Sequence, residues 1–196
     1  LQQMQEILQK SLIKIKKLEL ELAQAKENIA LPKEPIAIIG TGVRLAGSID
    51  STKKLWNLLS AQRSVFSKIP KDRFDVDAIY SADVSIPGKT VAQLGAFLDN
   101  DVRAFDADFF GISPREAKSI DPLQRMILEV VYEAIENAGI ASDTLKGSNT
   151  GVYIALGNSD YIQARFRSGS LDTVDVYDTT GIPFSTACGR VSYLYD

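Results

Sequence analysis

Apolar residues return every seven positions along the start of the chain. With Leu1 as the first heptad position, the a positions are Leu1, Leu8, Ile15, Leu22 and Ile29, and the d positions are Met4, Ser11, Leu18 and Ala25. Every a position is a large aliphatic residue, whereas Ser11 and Ala25 thin the d layer. No Gly or Pro interrupts residues 1–31 before Leu31. This pattern predicts one helix with a coiled-coil seam, about 42 Å long over its four heptads at 1.5 Å per residue. The flanks set the pairing. In a parallel dimer Lys14 meets Glu19 of the second copy, Glu21 meets Lys26, and Ile7 meets Leu12. All three pairs are complementary, which predicts a parallel homodimer. Ile7, Leu12, Ile13 and Leu20 widen the apolar face, so a further helix is expected to pack on the dimer. A wide stripe also suits a single amphipathic helix on its own domain. The near balance of charge argues against a membrane surface. Pro32 and Pro35 then close the helix with a short extended linker over 32–35.

Beyond the linker the period changes. Ile36-Ala37-Ile38-Ile39 is a β-branched run bounded by Pro and Gly, and predicts a buried strand. A helix is expected from about Ser51 to Ala61, capped by Asp50 or Ser51, with Leu55, Trp56, Leu58 and Leu59 as its buried side. Residues 62–110 carry Pro70, Pro87 and Gly88 and read as loop-rich. Ser113-Pro114-Arg115-Glu116 has the form of a capping box with proline at the first helical position. Asp121 caps a second helix, predicted from Pro122 to Ala138 and stopped by Gly139. Its apolar positions, from Leu123 and Met126 to Ile135 and Ala138, cover more than half its circumference, so it is expected to be buried on more than one side. Residues 151–157, GVYIALG, predict a second buried strand. The order strand, helices, strand, helix defines an α/β layered domain.

Composition narrows the chemistry. The 196 residues hold no histidine and one cysteine, Cys188. Serine–histidine and cysteine–histidine catalysis are therefore excluded within this chain, and a metal site would have to be built from carboxylates. One cysteine allows no internal disulfide and suits a reducing, cytoplasmic setting. A net charge of −3 without a basic cluster argues against nucleic acid, and no run approaches the ~20 apolar residues of a membrane span. The N-terminal segment mixes charge among its apolar residues and lacks the form of a signal peptide.

Two motif-like stretches carry no ligand. In GTGVRLAGS, Gly40 and Gly42 fit a dinucleotide fingerprint but the third glycine falls late. As a phosphate loop it has Ser48 where a lysine belongs, and a tight turn is the expected role. Asp99, Asp101, Asp106 and Asp108 lack the ligand spacing of a calcium loop and are expected in turns and caps.

PIAIIGTGVRLAG, LWNLL, RFD, PGK, GAFLDNDVRAFDADFFGISPREAKSIDPLQRMILEVVYEAIENAGI, TGVYIALGNSDY and GRVSY follow one another in an order that resembles the N-terminal part of a ketosynthase of a modular type I polyketide synthase. The resemblance spans about residues 35–196, and FFGISPREA and DPLQR are its most specific parts. It implies a partial thiolase-like fold over 36–196 and, in the complete enzyme, decarboxylative condensation of acyl thioesters. It implies no cofactor in this domain, because the phosphopantetheine arm belongs to acyl carrier proteins. Residues 1–31 stand where such synthases carry a docking coiled coil. The implied partners are a second copy, the C-terminal docking segment of an upstream subunit, and acyl carrier proteins.

The chain departs from the family pattern at Val43, Leu45-Ala46, Leu123 and Ile182. Leu123 and Ile182 are expected to affect packing near a dimer interface or substrate channel. STAC, residues 185–188, imitates the family's nucleophile motif, but Cys188 is followed by GRVSY, which matches a helix upstream of that motif. The resemblance thus places the nucleophile and two catalytic histidines beyond Asp196 and makes Cys188 a small buried hydrophobe. On this reading the chain has no catalytic residue and no condensing activity by itself. The competing readings are a non-catalytic docking module and a fatty-acid synthase ketosynthase.

Overall fold

The computed structural model describes residues 2–29, 35–167 and 174–195, with side chains over 9–22, 35–165 and 174–195. It divides into two compact units, Leu1–Ile38 and Ile39–Asp196.

The first unit is built on α1, Gln2–Ile29. Within it the seam residues Ser11, Ile15, Leu18 and Leu22 are exposed, as are Leu12, Ile13 and Leu20. Its described ion pair, Lys17 to Glu21 at 3.9 Å, is a local i,i+4 contact. Leu1, residues 32–34 of the linker, and the side chains of Met4, Leu8, Ala25 and Ile29 lie outside the described residues.

The second unit is mainly helical: α2 (Thr52–Ser60), α3 (Val76–Ile79), α4 (Pro114–Ser119), α5 (Pro122–Asn137), α6 (Tyr161–Arg167), α7 (Asp178–Gly181) and α8 (Thr186–Tyr195). A two-residue antiparallel ladder joins β1 (Ser67–Lys68) to β2 (Leu94–Gly95), pairing Ser67 with Gly95 and Lys68 with Leu94. The helix punctuation follows the side chains. Ser51 accepts from Lys54 N–H to start α2, Ser113 accepts from Glu116 N–H to start α4, and α5 stops before Gly139 at φ +68°.

Both predicted strands are corrected. Residues 36–39 and 151–157 form no strand, because neither segment has a backbone ladder to a neighbour among the described residues. Extended backbone becomes a strand only when its N–H and C=O groups meet a second strand. Ile36 and Ile38 are 95% and 85% exposed. Along 151–157 the alternation survives, with Val152, Ile154 and Leu156 half-buried and the residues between them exposed. The buried side of α2 is also corrected: Leu55 and Leu58 are half-buried, but Trp56 and Leu59 face solvent.

The core is where α5 and α8 meet the 105–120 segment. Phe110, Ile112, Ile120, Leu128 and Val191 form its buried centre, with Val131, Val152 and Ile154 packed against it. Phe105 stacks on Phe110 at 5.3 Å, and Phe109 meets Phe110 and Tyr132 edge-on at 4.9 and 4.8 Å.

The glycine-rich segment lies along α5. A Cβ on Gly40 would stand 2.3 Å from the Ala134 carbonyl oxygen, and one on Gly42 would stand 2.2 Å from that of Val130. These glycines therefore permit close helix packing rather than the turn expected of them. The turn proper falls later, at Gly47 and Ser48, with φ +74° and +57°. Thr41 N–H donates to Asn137 Oδ1 at 3.0 Å, and Arg44 pairs with Glu133 and, at 3.8 Å, with Glu129.

Candidate functional site

The most connected polar structure of the second unit surrounds the turn from α7 into α8. It begins at Asp121, which does three things at once. Its Oδ1 accepts from Leu123 N–H at 2.8 Å and caps α5. Its Oδ2 accepts from the Ser159 hydroxyl at 2.6 Å. Its own N–H donates to the Gly181 carbonyl at 2.8 Å. Three positions on, Gln124 is 1% exposed and donates from Nε2 to the carbonyls of Gly181 and Pro183, both at 3.0 Å. One helix start thereby holds the turn that introduces α8.

The fit is close. A Cβ on Gly181 would lie 2.4 Å from the Ser119 carbonyl oxygen. The Thr186 hydroxyl stands within 2.7 Å of the carbonyls of Pro183 and Thr180 and donates to one of them at a time.

Two arginines tie the surrounding helices together. Arg190 Nη1 in α8 donates to Glu116 Oε1 in α4 at 2.8 Å, and its Nη2 donates to the Thr180 carbonyl at 3.3 Å. Arg165 in α6 pairs with Asp178 at 2.9 Å and donates to the Lys118 carbonyl at 3.1 Å. The Glu116–Arg190 bond revises the capping box. Ser113 makes its half, but the Glu116 carboxylate goes to α8 instead of returning to the cap. At the rim Arg115 pairs with Asp175 at 2.7 Å and lies over the Tyr177 ring at 5.8 Å. The hydrogen bond from Arg115 holds the Asp175 carboxyl below its ordinary range, helped by the Tyr177 backbone N–H.

Cys188 is half-buried in α8, between the buried residues Ala187 and Val191. Leu123 is exposed at the start of α5 and Ile182 is half-buried beside the Gly181 turn. The aspartates of the loop-rich region make turn and surface contacts. Asp99 accepts from Ser48, Asp101 pairs with Arg103, and Asp106 accepts from Phe109 N–H.

The periodicity of α5 pointed to its aliphatic residues and passed over Gln124 and Arg125, which are more buried than most of them. A glutamine inside an apolar helix face was the available signal, because such a residue needs partners to be buried. What those partners were depended on a turn 57 residues away.

The arrangement is a scaffold: it fixes helix starts and a turn and presents no nucleophile–base pair. Comparison with known proteins gives it a family. Residues 33–196 match the family Beta-ketoacyl synthase, N-terminal domain, and the chain belongs to that family. Among its relatives, the polyketide synthase component of compactin nonaketide synthase from Penicillium citrinum is 47% identical over 165 residues, 84% of this chain and 5% of the relative. A non-reducing polyketide synthase from Penicillium canescens is 48% identical over 163 residues, 83% of this chain and 7% of the relative.

Solved structures agree on the fold. The oxazolomycin ketosynthase domain of Streptomyces albus JA3453 superposes with a TM-score of 0.71 at 31% identity, over 83% of this chain and 28% of that one. A ketosynthase from module 6 of the bacillaene synthase of Bacillus subtilis 168 gives 0.68 at 30% identity, over 81% of this chain and 24% of that one. The chain is thus the N-terminal part of a ketosynthase fold and spans about a quarter of these ketosynthases. The match to the family begins at residue 33, so α1 lies outside it. Among the described residues no helix is long and apolar enough to cross a membrane.

Proposed function

We propose that this chain forms the leading part of the ketosynthase of a polyketide synthase subunit. The observation that carries the reading is the fold shared with the oxazolomycin ketosynthase domain over 83% of the chain at 31% identity. In the complete domain, an acyl group passes from the phosphopantetheine thiol of a carrier protein to an enzyme cysteine. The carboxylate of an extender unit then leaves as CO₂, and the carbon it frees takes the acyl group and releases the cysteine. No resident cofactor is needed. The polyketide synthase relatives above favour this reading over a fatty-acid synthase.

The part played by this chain is architectural. Asp121 and Gln124 set the course of residues 178–186, and Arg190 ties α8 to α4. The nucleophile and histidines belong to segments beyond Asp196, and Cys188 is structural. Its place inside α8, in a chain without histidine, supports that role. Incubating the purified chain with an acyl thioester and measuring intact mass is expected to show no acylation. A stable adduct on Cys188 would overturn the assignment.

The reading extends to α1 as a parallel homodimeric coiled coil that docks the C-terminal segment of an upstream subunit. Its support is the exposure of Ile15, Leu18 and Leu22 on one heptad seam, with Leu12, Ile13 and Leu20 beside it. Docking is tested with a peptide of residues 1–31. The peptide should retain the affinity of the whole chain for that segment, and loss of binding in the peptide alone would move the docking surface elsewhere.

A further inference from the structure

Between the start of α5 and the 100–110 loop lies a cavity of about 530 Å³. Arg44, Phe105, Phe109, Arg125, Met126 and Glu129 are among its lining residues. Arg125 also borders a second cavity, which shares Phe105 and Asp106 with the first. It is 9% exposed, and its Nε is shielded from solvent without an acceptor among the described residues.

The carboxylates on the cavity wall are turned to other partners. Glu129 and Glu133 pair with Arg44, and Glu129 feels the charge of Arg125 only as the weakest of its influences, without a hydrogen bond or ion pair to it among the described residues. Asp101 is bonded to Arg103, Asp106 to Phe109 N–H, and Glu136 to the Tyr132 hydroxyl. A buried guanidinium nitrogen without an acceptor, as at Nε of Arg125, is costly. Arginine is also the side chain best suited to receive a carboxylate through two parallel hydrogen bonds.

We propose that this cavity is a docking surface for a protein-borne carboxylate, an Asp or Glu presented to Arg125 by the part of a ketosynthase polypeptide that this chain does not span. The inference rests on the ketosynthase reading above. Three observations favour this occupant. The matched ketosynthase chains are about four times the length covered here. The walls combine aromatic and aliphatic surface with Arg125 and with Arg44, which is paired to Glu133, as at an interior contact between two parts of a domain. Five carboxylates against Arg44 and Arg125 make the wall net negative and oppose the entry of a free small anion. A carboxylate fixed on a polypeptide, with the rest of the contact apolar, meets that opposition with its own packing.

The test uses the whole chain and a hybrid. In the hybrid, residues 33–196 replace the matching stretch of the compactin nonaketide synthase ketosynthase. Arg125→Met keeps the volume and removes the charge. In the hybrid it should lower Tm by roughly 5 °C or more, because it strands a buried carboxylate. In the 196-residue chain alone it should leave Tm unchanged or raise it, because there it removes a buried guanidinium whose Nε has no acceptor among the described residues.

Carboxyl labelling with glycine ethyl ester and carbodiimide, read by peptide mass spectrometry, supplies a second measurement. In the hybrid, Arg125→Met should raise labelling several-fold at one Asp or Glu outside residues 33–196. The same sign of Tm change in both proteins would overturn the inference, as would a labelling increase confined to Glu129 and its neighbours. Acetate or phosphate raising the Tm of the chain alone through Arg125 would overturn it in favour of a free anion. A hybrid that retains Arg125 yet fails to fold removes the ketosynthase reading and this inference with it. A folded hybrid with unchanged labelling removes the inference alone.

Discussion

At Gln124 a single amide carries information that no hydrophobic pattern holds. Its Nε2 reaches two carbonyls in a turn more than fifty residues away, with 1% of the residue exposed. Both carbonyls have a second donor, Asp121 N–H for Gly181 and the Thr186 hydroxyl for Pro183. Loss of the amide is therefore partly compensated, and Gln124→Leu is expected to cost about 1–2 kcal/mol in urea unfolding. Gln124→Glu should cost more at pH 7, because it drives a carboxylate against two carbonyl oxygens. Burial and that repulsion would raise the folded pKa of the new carboxyl. The excess cost over Gln124→Leu is then present above the raised pKa and shrinks as pH falls toward the ordinary glutamate range. A pH-independent difference between the two variants would mean that the glutamate escapes to solvent.

Elements show how one side chain serves two neighbours. Ser113 caps α4, and Ser113→Ala should cost about 1 kcal/mol. In the capping-box reading Glu116 would stabilise the same helix start. In the structure it reaches Arg190, so Glu116→Gln should loosen α8 more than α4. Hydrogen exchange by mass spectrometry distinguishes them, with faster exchange over 186–195 as the expected result. A change confined to 113–119 would restore the capping-box role.

On α5, burial pushes the Glu129 carboxyl above its ordinary 4.5, against the pull of Arg44. As pH rises from 4.5, the unfolded chain releases this proton before the folded chain does, so folding loses stability from this group across that interval. Glu129→Gln removes the effect. The variant should gain on the wild type as pH rises above 4.5 in matched denaturant titrations.

For the molecule as a whole, the question is which surfaces still await a partner. The proposed pairing of α1 predicts that the chain sediments as a dimer. Placing a charge in the seam with Leu22→Asp should weaken that association on the order of 100-fold. A wild-type monomer at high micromolar concentration would remove the coiled coil from the proposal. In the second unit, Val152, Ile154, Leu156 and the exposed Tyr153 retain the alternation of a strand that has no ladder. The aligned stretch covers only about a quarter of the matched ketosynthases. On the proposed reading, the remaining part supplies the pairing.

The cap at Ser113, the stop at Gly139 and the limits of α5 were legible because each rests on a contact within a few residues. The α2 boundaries were legible for the same reason. Its buried face was not, since Trp56 is 70% exposed and nothing local distinguishes it from a core residue. The roles of Gly40 and Gly42 were missed likewise, because a helix nearly a hundred residues on defines the space they leave.

By itself the sequence determined the helix starts and stops, the seven-residue repeat of apolar positions, the lack of histidine and the run of family motifs. All of these are properties of neighbouring residues or of composition. Only the tertiary structure decided that Gln124 holds the Gly181 turn, that Glu116 belongs to Arg190, and that Nε of Arg125 is buried without an acceptor among the described residues. It also decided that residues 36–39 and 151–157 form no ladder among the described residues. The physical reason is the same in each case: a hydrogen bond needs both of its partners, and whether a distant residue supplies the second one is settled by the tertiary structure and not by neighbours in sequence.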